Sequence, residues 1–509
     1  MRHPGALLLL FFLTATCFDH ASGEWPPIAI HPDNPKYFLF RGRPLVLLSA
    51  TEHYGSVVNR AFDFERYLAD AADKKQTLTR TFLLFREQQS SRNPSSPLKA
   101  ESPDYLAPYP RMGPERAMDG EPQYDLDSWN GEYFARLHKF LTRASELGIV
   151  VELTLFSNSY GPDVWALNPL RADNNMQKVG RVAWQEYTSL KDPDLNKRQF
   201  AFAAKIVEET SRYDNVYYEI CNEPGGGIAG HATPEEVDAW QAEIARVIRE
   251  TLKRLGRKHL VFGSRSFDYA RHVTQPLDAT FAGTMVDVVN VHPLPNVVLG
   301  GRTYMLGRFM SKDLALEDFA AFCRATQGQA KPCVLDEDNA ATLYRDAVGW
   351  TIHRKRAWIA LLSQTHYDMI DFSITVGSES GTRESSAQLR TWMKHLSEFV
   401  HALDFLHARP VADFFEPAPQ HLVTAAMAVP GKRWVAYLAD AREVTDPAAG
   451  EPISGSIAFR LPQGDYLASL FSPTTGLYSP AVTVRGGSEP VTLELPEFRH
   501  DVVVDVRRP

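Results

Sequence analysis

Eight short apolar segments recur along the chain, and longer amphipathic stretches separate them. Each segment is almost continuously hydrophobic, as expected for a strand that is buried on both faces of a parallel sheet. The segments are PLVLLSA, LTRTFLLF, GIVVELTLF, VYYEICNEP, HLVFGS, VDVVNVHP, KPCVLDEDN and YDMIDFSITV. Eight strand–helix units over roughly 360 residues predict an α/β fold, the (β/α)8 TIM barrel, with right-handed crossovers.

The intervening stretches have the residue spacing of amphipathic helices. One of them carries apolar residues three and four positions apart and is followed by Gly148, a typical helix stop. Another follows Thr233, a good N-cap residue, and ends at Gly256. A doubly wound open sheet would also alternate strands and helices. That fold normally carries a glycine-rich turn after its first strand, and the sequence has no such turn there.

The pattern changes after about Leu406. Short strand-like segments then follow one another closely, broken by glycine and proline, and indicate a small antiparallel β-sandwich. This change places the barrel at residues 24–405 and the sandwich at 406–509. Residues 1–23, before the barrel, are predicted to be a signal peptide.

The N-terminal segment has the features of an export signal. Arg2 and His3 precede an apolar run that is too short for a comfortable membrane span. Ala21 and Gly23 suit the small-residue positions of a signal-peptidase site, so we predict a secreted or periplasmic protein with no membrane span after processing. Acylation of Cys17 is the competing interpretation, although the Thr-Ala-Thr before it fits lipoprotein processing poorly.

Charge and cysteine content narrow the classes of partner. The net charge is −8 without any basic block, which argues against nucleic acid as a partner. Three cysteines follow the signal segment and form no Cys-x-x-Cys pair of the kind that binds zinc. A Cys323–Cys333 disulfide and buried free thiols are both open alternatives.

Polar residues stand at the carboxyl ends of several predicted strands, where the active sites of such barrels lie. They are Glu52 and His53 after the first strand, Asn222 and Glu223 after the fourth, His292 after the sixth, and Asp336, Glu337 and Asp338 after the seventh. Two carboxyl groups in one cleft can hydrolyse a glycosidic bond, because proximity and burial separate their pKa values and leave one protonated and one ionised. This chemistry requires neither a metal nor a cofactor.

Strand alternation sorts the neighbouring acidic residues. Glu219 shares the inward side of its strand with Glu223 but lies deeper, so we expect an ion pair with a barrel arginine. Asp336 has the opposite parity to Glu337 and is predicted to point toward the helices. Asp338 follows the strand and is predicted to hydrogen-bond a sugar.

Two motifs carry a family resemblance. VYYEICNEP and KPCVLDE resemble the fourth-strand and seventh-strand motifs of glycoside hydrolase clan A, which includes the family 5 cellulases. The resemblance extends from about Pro44 to Asp404. It implies a retaining glycosidase that acts on a poly- or oligosaccharide, with Glu223 as general acid/base and Glu337 as nucleophile. It also implies that Asn222 contacts the sugar 2-hydroxyl.

The sequence also predicts further substrate-binding residues. Arg80 matches the clan arginine that holds the nucleophile ionised, and His292 matches a histidine near the same centre. From their positions alone, His53 is predicted to line the pocket and Trp165 to stack on a sugar face. Phe372 stands where clan members often carry tryptophan, so the identity of the sugar stays open.

Two other functions remain as alternatives. A barrel that binds glycans without cleaving them is one, although the presence of both Glu223 and Glu337 argues against it. A transglycosylase on the same site is the other, and it would differ only in how well water is excluded. The C-terminal sandwich is expected either to bind carbohydrate or to brace the barrel.

Overall fold

A computed structural model of the chain describes residues 25–49, 55–84, 104–226, 232–263, 267–268, 283–292, 298–299, 302–303, 315–338, 347–369, 384–416, 421–443 and 446–509. The strands up to the barrel's end are β1 (Ala29–Ile30), β2 (Phe38–Phe40), β3 (Arg43–Leu45), β4 (Leu78–Phe82), β5 (Arg111–Arg116), β6 (Pro122–Tyr124), β7 (Val150–Ser157), β8 (Val216–Asn222), β9 (Gly225–Gly226), β10 (Val261–Gly263), β11 (Phe267–Asp268), β12 (Val288–Val291), β13 (Val298–Leu299), β14 (Arg302–Thr303), β15 (Cys333–Asp338) and β16 (His366–Met369).

The described helices alternate with these strands. They are α1 (Phe64–Asp73), α2 (Gly131–Glu146), α3 (Pro162–Leu167), α4 (Pro193–Thr210), α5 (Pro234–Leu255), α6 (Leu316–Gln327), α7 (Ala347–Leu362) and α8 (Glu384–His401). The caps predicted for α5 are confirmed: Thr233 and Glu236 form a capping box, and Gly256 takes the left-handed conformation at φ 67°.

Seven parallel strands form one sheet in the order β16-β15-β12-β10-β8-β7-β4. The first predicted strand joins its two edges. Leu48 forms a parallel bridge with Tyr367 of β16, and the Leu48 carbonyl accepts a hydrogen bond from Thr77 N, just before β4. The ring of eight segments confirms the predicted TIM barrel.

The barrel interior changes from apolar to polar toward the carboxyl ends of the strands. The lower layer is an apolar cluster that includes Leu78, Val150, Tyr217, Val288 and Val334. Two residues further along the same strands, the layer consists of Arg80, Glu152, Glu219, Asn290 and Asp336, all buried. Because alternate residues of a strand share a face, the polar layer rests on the apolar one and holds up the groups at the rim.

Two antiparallel sheets follow the barrel, as predicted. Their strands are β17 (Arg409–Pro410), β18 (Leu422–Val429), β19 (Arg433–Asp440), β20 (Ile453–Phe459), β21 (Gly464–Phe471), β22 (Val482–Gly486), β23 (Val491–Phe498) and β24 (Asp501–Arg507). Six form a sheet in the order β17-β18-β19-β24-β21-β22, and β20 pairs with β23.

The six-stranded sheet packs on both of its faces. Val435, Tyr437 and Val503 belong to the large core that also contains the barrel helices. The alternate residues Leu438 and Val504 belong to a second core, which the β20–β23 pair covers. The barrel helices and one face of the six-stranded sheet thus share one apolar core.

The three described cysteines, Cys221, Cys323 and Cys333, are free and buried. The alternative of a Cys323–Cys333 disulfide is therefore not realised in this structure. Within the described part of the chain, no helix combines the length and the apolar character needed to span a membrane. The predicted signal segment, residues 1–23, lies outside the described residues.

Candidate active site

Glu223 and Glu337 meet at the rim of the barrel, directly after β8 and near the end of β15. One carboxylate oxygen of each and one ring nitrogen of His292 all lie within 4.8 Å of one another. Both glutamates have a positive φ, 43° for Glu223 and 56° for Glu337. This conformation is strained for a glutamate, by about 1–3 kcal/mol, and such strain concentrates at functional sites. The backbone thus turns the two carboxyl groups toward one point.

Arg80 of β4 is the main counter-charge of this site. Its guanidinium is fully buried, and Nη1 donates to Glu337 Oε1 at 2.5 Å. Nη2 donates to both oxygens of Glu219, at 2.8 and 2.7 Å, and to Asn222 Oδ1 at 2.8 Å. The predicted pairing of Glu219 with a barrel arginine is present, and one guanidinium orients three functional side chains.

Glu219 in turn fixes Arg80. Thr154 Oγ1 donates to Glu219 Oε2 at 2.5 Å, and Asn290 Nδ2 donates to Oε1 at 2.7 Å. Ionised carboxylates accept several such bonds, and here β7 and β12 supply them. The strand register explains why these polar residues meet: Arg80 pairs with Glu152 across β4 and β7, and Thr154 pairs with Glu219 across β7 and β8.

His292 bridges the two rim glutamates. Its Nδ1 lies 2.9 Å from Glu223 Oε1 and 3.4 Å from Glu337 Oε2. Burial opposes the charged imidazole, but the negative charge of Glu337 and the hydrogen bond to Glu223 outweigh it and raise the pKa of His292 to about 9. At neutral pH the three groups therefore hold at least one proton, which is on His292 Nδ1 in this arrangement.

The two glutamates differ in their electrostatic surroundings. Burial raises the pKa of Glu337 above its ordinary value, against the opposing charges of His292 and Arg80. Burial also acts to raise the pKa of Glu223, but the hydrogen bond and the charge of His292 outweigh it, so the pKa of Glu223 is lowered. Since the three groups share protons, they titrate together rather than one by one.

Tyr160 is a site residue that sequence reasoning missed as a hydrogen-bonding group. Its hydroxyl donates to Glu223 Oε2 at 2.7 Å and accepts from Asn222 Nδ2 at 2.8 Å. Tyr160 also has a positive φ of 52°. Its position could have indicated this role. Tyr160 follows β7 closely, at the carboxyl end of a barrel strand, and precedes Gly161 and Pro162.

The structure contradicts the prediction that Asp338 contacts a sugar. Its side chain is fully buried, where Arg356 Nη1 donates to it at 3.0 Å and the Tyr367 hydroxyl donates at 2.8 Å. Burial acts to raise the pKa of Asp338, but Arg356 and His353 outweigh it and hold that pKa well below its ordinary value. Asp338 is a structural anion.

The predicted orientation of Asp336 is also wrong. The charges that act on Asp336 are those of the barrel interior, including Arg80 and Glu219, and burial among them raises its pKa to about 7. The register between β15 and β16 shifts between Leu335 and Asp338. This irregularity, together with the positive φ at Glu337, breaks the simple alternation on which the prediction was based.

The remaining predicted site residues fall in different places. His53 and Phe372 lie outside the described residues. Trp165 is on α3, is only 3% exposed and packs its ring 5.2 Å from that of Tyr187. Asn222 lies between Arg80 and Tyr160, beside Glu223.

Glu223, His292 and Glu337 offer ligand atoms close enough for a cation. In this structure Arg80 hydrogen-bonds the Glu337 carboxylate and His292 hydrogen-bonds that of Glu223.

Comparisons with known proteins agree with this fold. Residues 111–288 match the family model described as Cellulase (glycosyl hydrolase family 5). A family 5 glycoside hydrolase from Bacteroides vulgatus has a similar structure, with a TM-score of 0.58, 12% identity and 95% coverage of both chains. The endo-1,4-beta-mannanase from Rhizomucor miehei gives a TM-score of 0.50 at 13% identity, covering 72% of this chain and 98% of the mannanase. No curated protein sequence matches the chain.

These findings confirm the resemblance to clan A. The chain has the fold of a family 5 glycoside hydrolase, with antiparallel sheets after the barrel. The family match contains Glu223 and ends before His292 and Glu337.

Proposed function

We propose that the protein is a retaining glycoside hydrolase that cleaves O-glycosidic bonds of a poly- or oligosaccharide by double displacement. The observation that carries this proposal is the approach of Glu223 and Glu337, whose nearest site oxygens lie within 4.8 Å of each other and of His292 Nδ1. Retaining enzymes hold their carboxyl groups about 5–5.5 Å apart, whereas inverting enzymes need about 6.5–9.5 Å to admit a water. The short separation favours a direct attack by one carboxylate.

Glu337 is the nucleophile in this proposal. The hydrogen bond from Arg80 opposes the effect of burial and favours the ionised carboxylate, which attacks the anomeric carbon. Glu223 has a more open position, with a side chain that is 30% exposed, where a leaving-group oxygen can reach it. Asn222 lies beside Glu223 and is the proposed contact for the sugar 2-hydroxyl.

His292 holds the proton that Glu223 delivers. In the resting site the pKa of Glu223 is lowered and that of Glu337 is raised, which is the reverse of the order that the first step needs. Transfer of one proton across the 2.9 Å hydrogen bond, from His292 Nδ1 to Glu223 Oε1, restores that order. Glu223 then protonates the leaving oxygen, and later deprotonates the water that releases the sugar from Glu337.

We propose further that the enzyme acts outside the cytoplasm, on the basis of the sequence of residues 1–23. An exported glycosidase would meet polymeric glycans directly. A transglycosylase would use the same groups, and product analysis separates it from a hydrolase, because it yields longer glycans in place of reducing sugar.

The test is a screen of aryl glycosides and polysaccharides, followed by proton NMR of the first product anomer. Retention of the anomeric configuration is expected, and inversion would refute double displacement. Glu223→Gln should lose activity on glycans by about 10²–10⁴-fold, because it removes the acid catalyst. The same variant should still release activated aryl leaving groups, which need no proton. Glu494→Gln, an exposed change on β23, is the matched control and should be unaffected.

A further inference from the structure

A cavity of about 580 Å³ lies in the long segment between β7 and α4. This volume is within the range of about 300–1,000 Å³ that is typical of small-molecule sites. Pro162 lines the cavity and stands two residues after Tyr160, whose hydroxyl donates to Glu223. Two Cα–Cα steps of about 3.8 Å each therefore separate the cavity wall from Tyr160, whose side chain contacts the proposed acid catalyst.

The cavity wall is held by its own side chains. The fully buried Asn175 donates from Nδ2 to the carbonyl oxygens of Arg171 and Val179, at 2.7 and 3.0 Å. Gly180 lies so close to the backbone that an added Cβ would stand 1.9 Å from the Leu170 carbonyl oxygen, and its φ is +86°. This loop conformation requires glycine, and the wall is formed before any ligand arrives.

The cavity lining is basic in a protein whose net charge is −8. Arg171, Lys178 and Arg181 line it, against Asp173 as the acidic lining residue. Arg171 pairs with Asp173 at 2.9 Å, and Lys178 pairs with Glu115 at 2.5 Å. Arg181 is exposed and donates from Nε to the Lys178 carbonyl at 3.4 Å. Among the described residues, no carboxylate lies within ion-pair distance of Arg181, so its guanidinium fork is available to an anion.

Two indole rings complete the lining. Trp165 packs against Tyr187 and is held nearly buried, whereas Trp184 is half-buried. Aromatic rings offer flat apolar surfaces to the C–H faces of a sugar ring, and guanidinium groups bind carboxylate or sulfate oxygens in pairs. The combination selects a ligand that has both an apolar face and a negative charge.

We propose that this cavity binds an anionic sugar residue of the glycan, a uronate or a sulfated pyranose, beside the bond that Glu223 and Glu337 cleave. This inference rests on the proposed function and adds a substrate class to it. Arg181 is the specificity-determining residue, because its guanidinium pairs with no carboxylate among the described residues, whereas Arg171 and Lys178 each pair with one. Trp165 and Trp184 supply the apolar contact.

Binding to the inactive Glu337→Gln protein tests the inference without turnover. The probes are an oligogalacturonate, a xylo-oligosaccharide with a glucuronate branch and a sulfated galactan oligosaccharide, each measured by calorimetry against a neutral oligosaccharide of equal length. At least one acidic probe should bind about tenfold more tightly than its neutral counterpart, since a hydrogen bond to a charged group is worth about 1.5–3 kcal/mol. The probe that shows this preference distinguishes uronate from sulfate.

Arg181→Gln in the same background should abolish the preference, while affinity for the neutral probe stays within twofold. Arg485→Gln, an exposed change on β22, is the matched control and should keep it. The inference is refuted if no acidic probe binds more tightly than its neutral counterpart, or if the preference survives Arg181→Gln. Hydrolysis by the unmutated enzyme is assayed separately. If the enzyme hydrolyses no glycan but the Glu337→Gln protein prefers an acidic probe, the proposed function alone is refuted. If the enzyme hydrolyses glycans but no acidic probe is preferred, only the proposed anionic-sugar site is refuted.

Discussion

The candidate active site and the contact between α7 and the C-terminal sheets both bury arginines against carboxylates, but the balance of charge differs. At the contact, Arg354 donates to both oxygens of Asp501 at 2.7 and 2.8 Å, so one cation faces one anion. In the active site, Arg80 faces Glu219, Glu337 and, at 3.5 Å, Glu152. The charged His292 faces Glu223 and Glu337, so the carboxylates in this described region outnumber the cations. An excess of buried carboxylates over cations forces some of the carboxylates to share protons. The unbalanced region is therefore the one suited to acid–base chemistry.

Two adjacent residues give the sharpest form of this comparison. Glu337→Gln should lower kcat by about 10³-fold or more, because it removes the attacking group, and should leave the free energy of unfolding nearly unchanged. Asp338→Asn should do the opposite: it weakens the charged partner of the buried Arg356 and costs about 1.5–3 kcal/mol of stability. Steady-state kinetics and urea unfolding on both variants check this. Comparable kinetic losses in both would remove the distinction between the two acids.

Replacing Arg354 breaks the ion pair between Arg354 and Asp501. Arg354→Met leaves Asp501 buried with the Tyr437 hydroxyl as its remaining side-chain donor, so we expect a loss of about 3–5 kcal/mol in the free energy of unfolding. Activity per folded molecule should not change. Adding Asp501→Leu should restore part of the stability, because it removes the stranded charge. If Arg354→Met proved as stable as the parent protein, this ion pair would not hold the two regions together.

Tyr160→Phe sharpens the role of the donors around Glu223. The variant loses one hydrogen bond to the carboxylate, and we expect kcat/KM to fall by about 10–100-fold. The same bond helps to lower the pKa of Glu223, so the basic limb of the pH profile should move to higher pH. Tyr213→Phe, whose hydroxyl lies 3.2 Å from His138 Nδ1 on the outside of the barrel, is the control. An unshifted pH profile would argue that Tyr160 only packs.

A dependence of the stability on pH is also expected. The pKa of His292 is about 9 in the folded protein and 6.5 ordinarily, so the folded state holds a proton that the unfolded chain releases. This contribution is complete below pH 6.5 and is lost as the pH rises through about 9. The urea midpoint should therefore fall across this window, and it should fall less in His292→Gln. Equal slopes in both proteins would mean that His292 is not charged in the native state.

The sequence was sufficient for the barrel because its strands are apolar runs with regular spacing. It was also sufficient for bringing Glu223, Glu337 and Arg80 together, because the strand ends of a barrel converge. The hydrogen bonds that these side chains make depend on strand register, which the apolar runs do not define. For this reason Asn290 and Thr154 were not recognised as supports of Glu219.

The errors lie where the backbone leaves regular geometry. Alternation along β15 predicted that Asp336 points outward, and its place beyond the predicted strand end left Asp338 free for a sugar. Asp336 instead keeps the inward direction of Val334, two residues before it, and the positive φ at Glu337 turns the Glu337 side chain inward as well. Glutamate rarely takes that conformation, so the residue type gave no sign of it. Tyr160 was missed for the same reason, since its own positive φ turns it back over the site.

The packing of the six-stranded sheet has a consequence for how the protein is divided. The ring of Trp358 on α7 stacks on that of Tyr437 at 5.4 Å, so one face of that sheet packs against a barrel helix. The other face is covered by β20 and β23. Both faces of the sheet are therefore covered at β19 and β24. Cleaving the chain near residue 405 would therefore expose apolar surface on the barrel helices and on the six-stranded sheet. Neither fragment would keep a complete core.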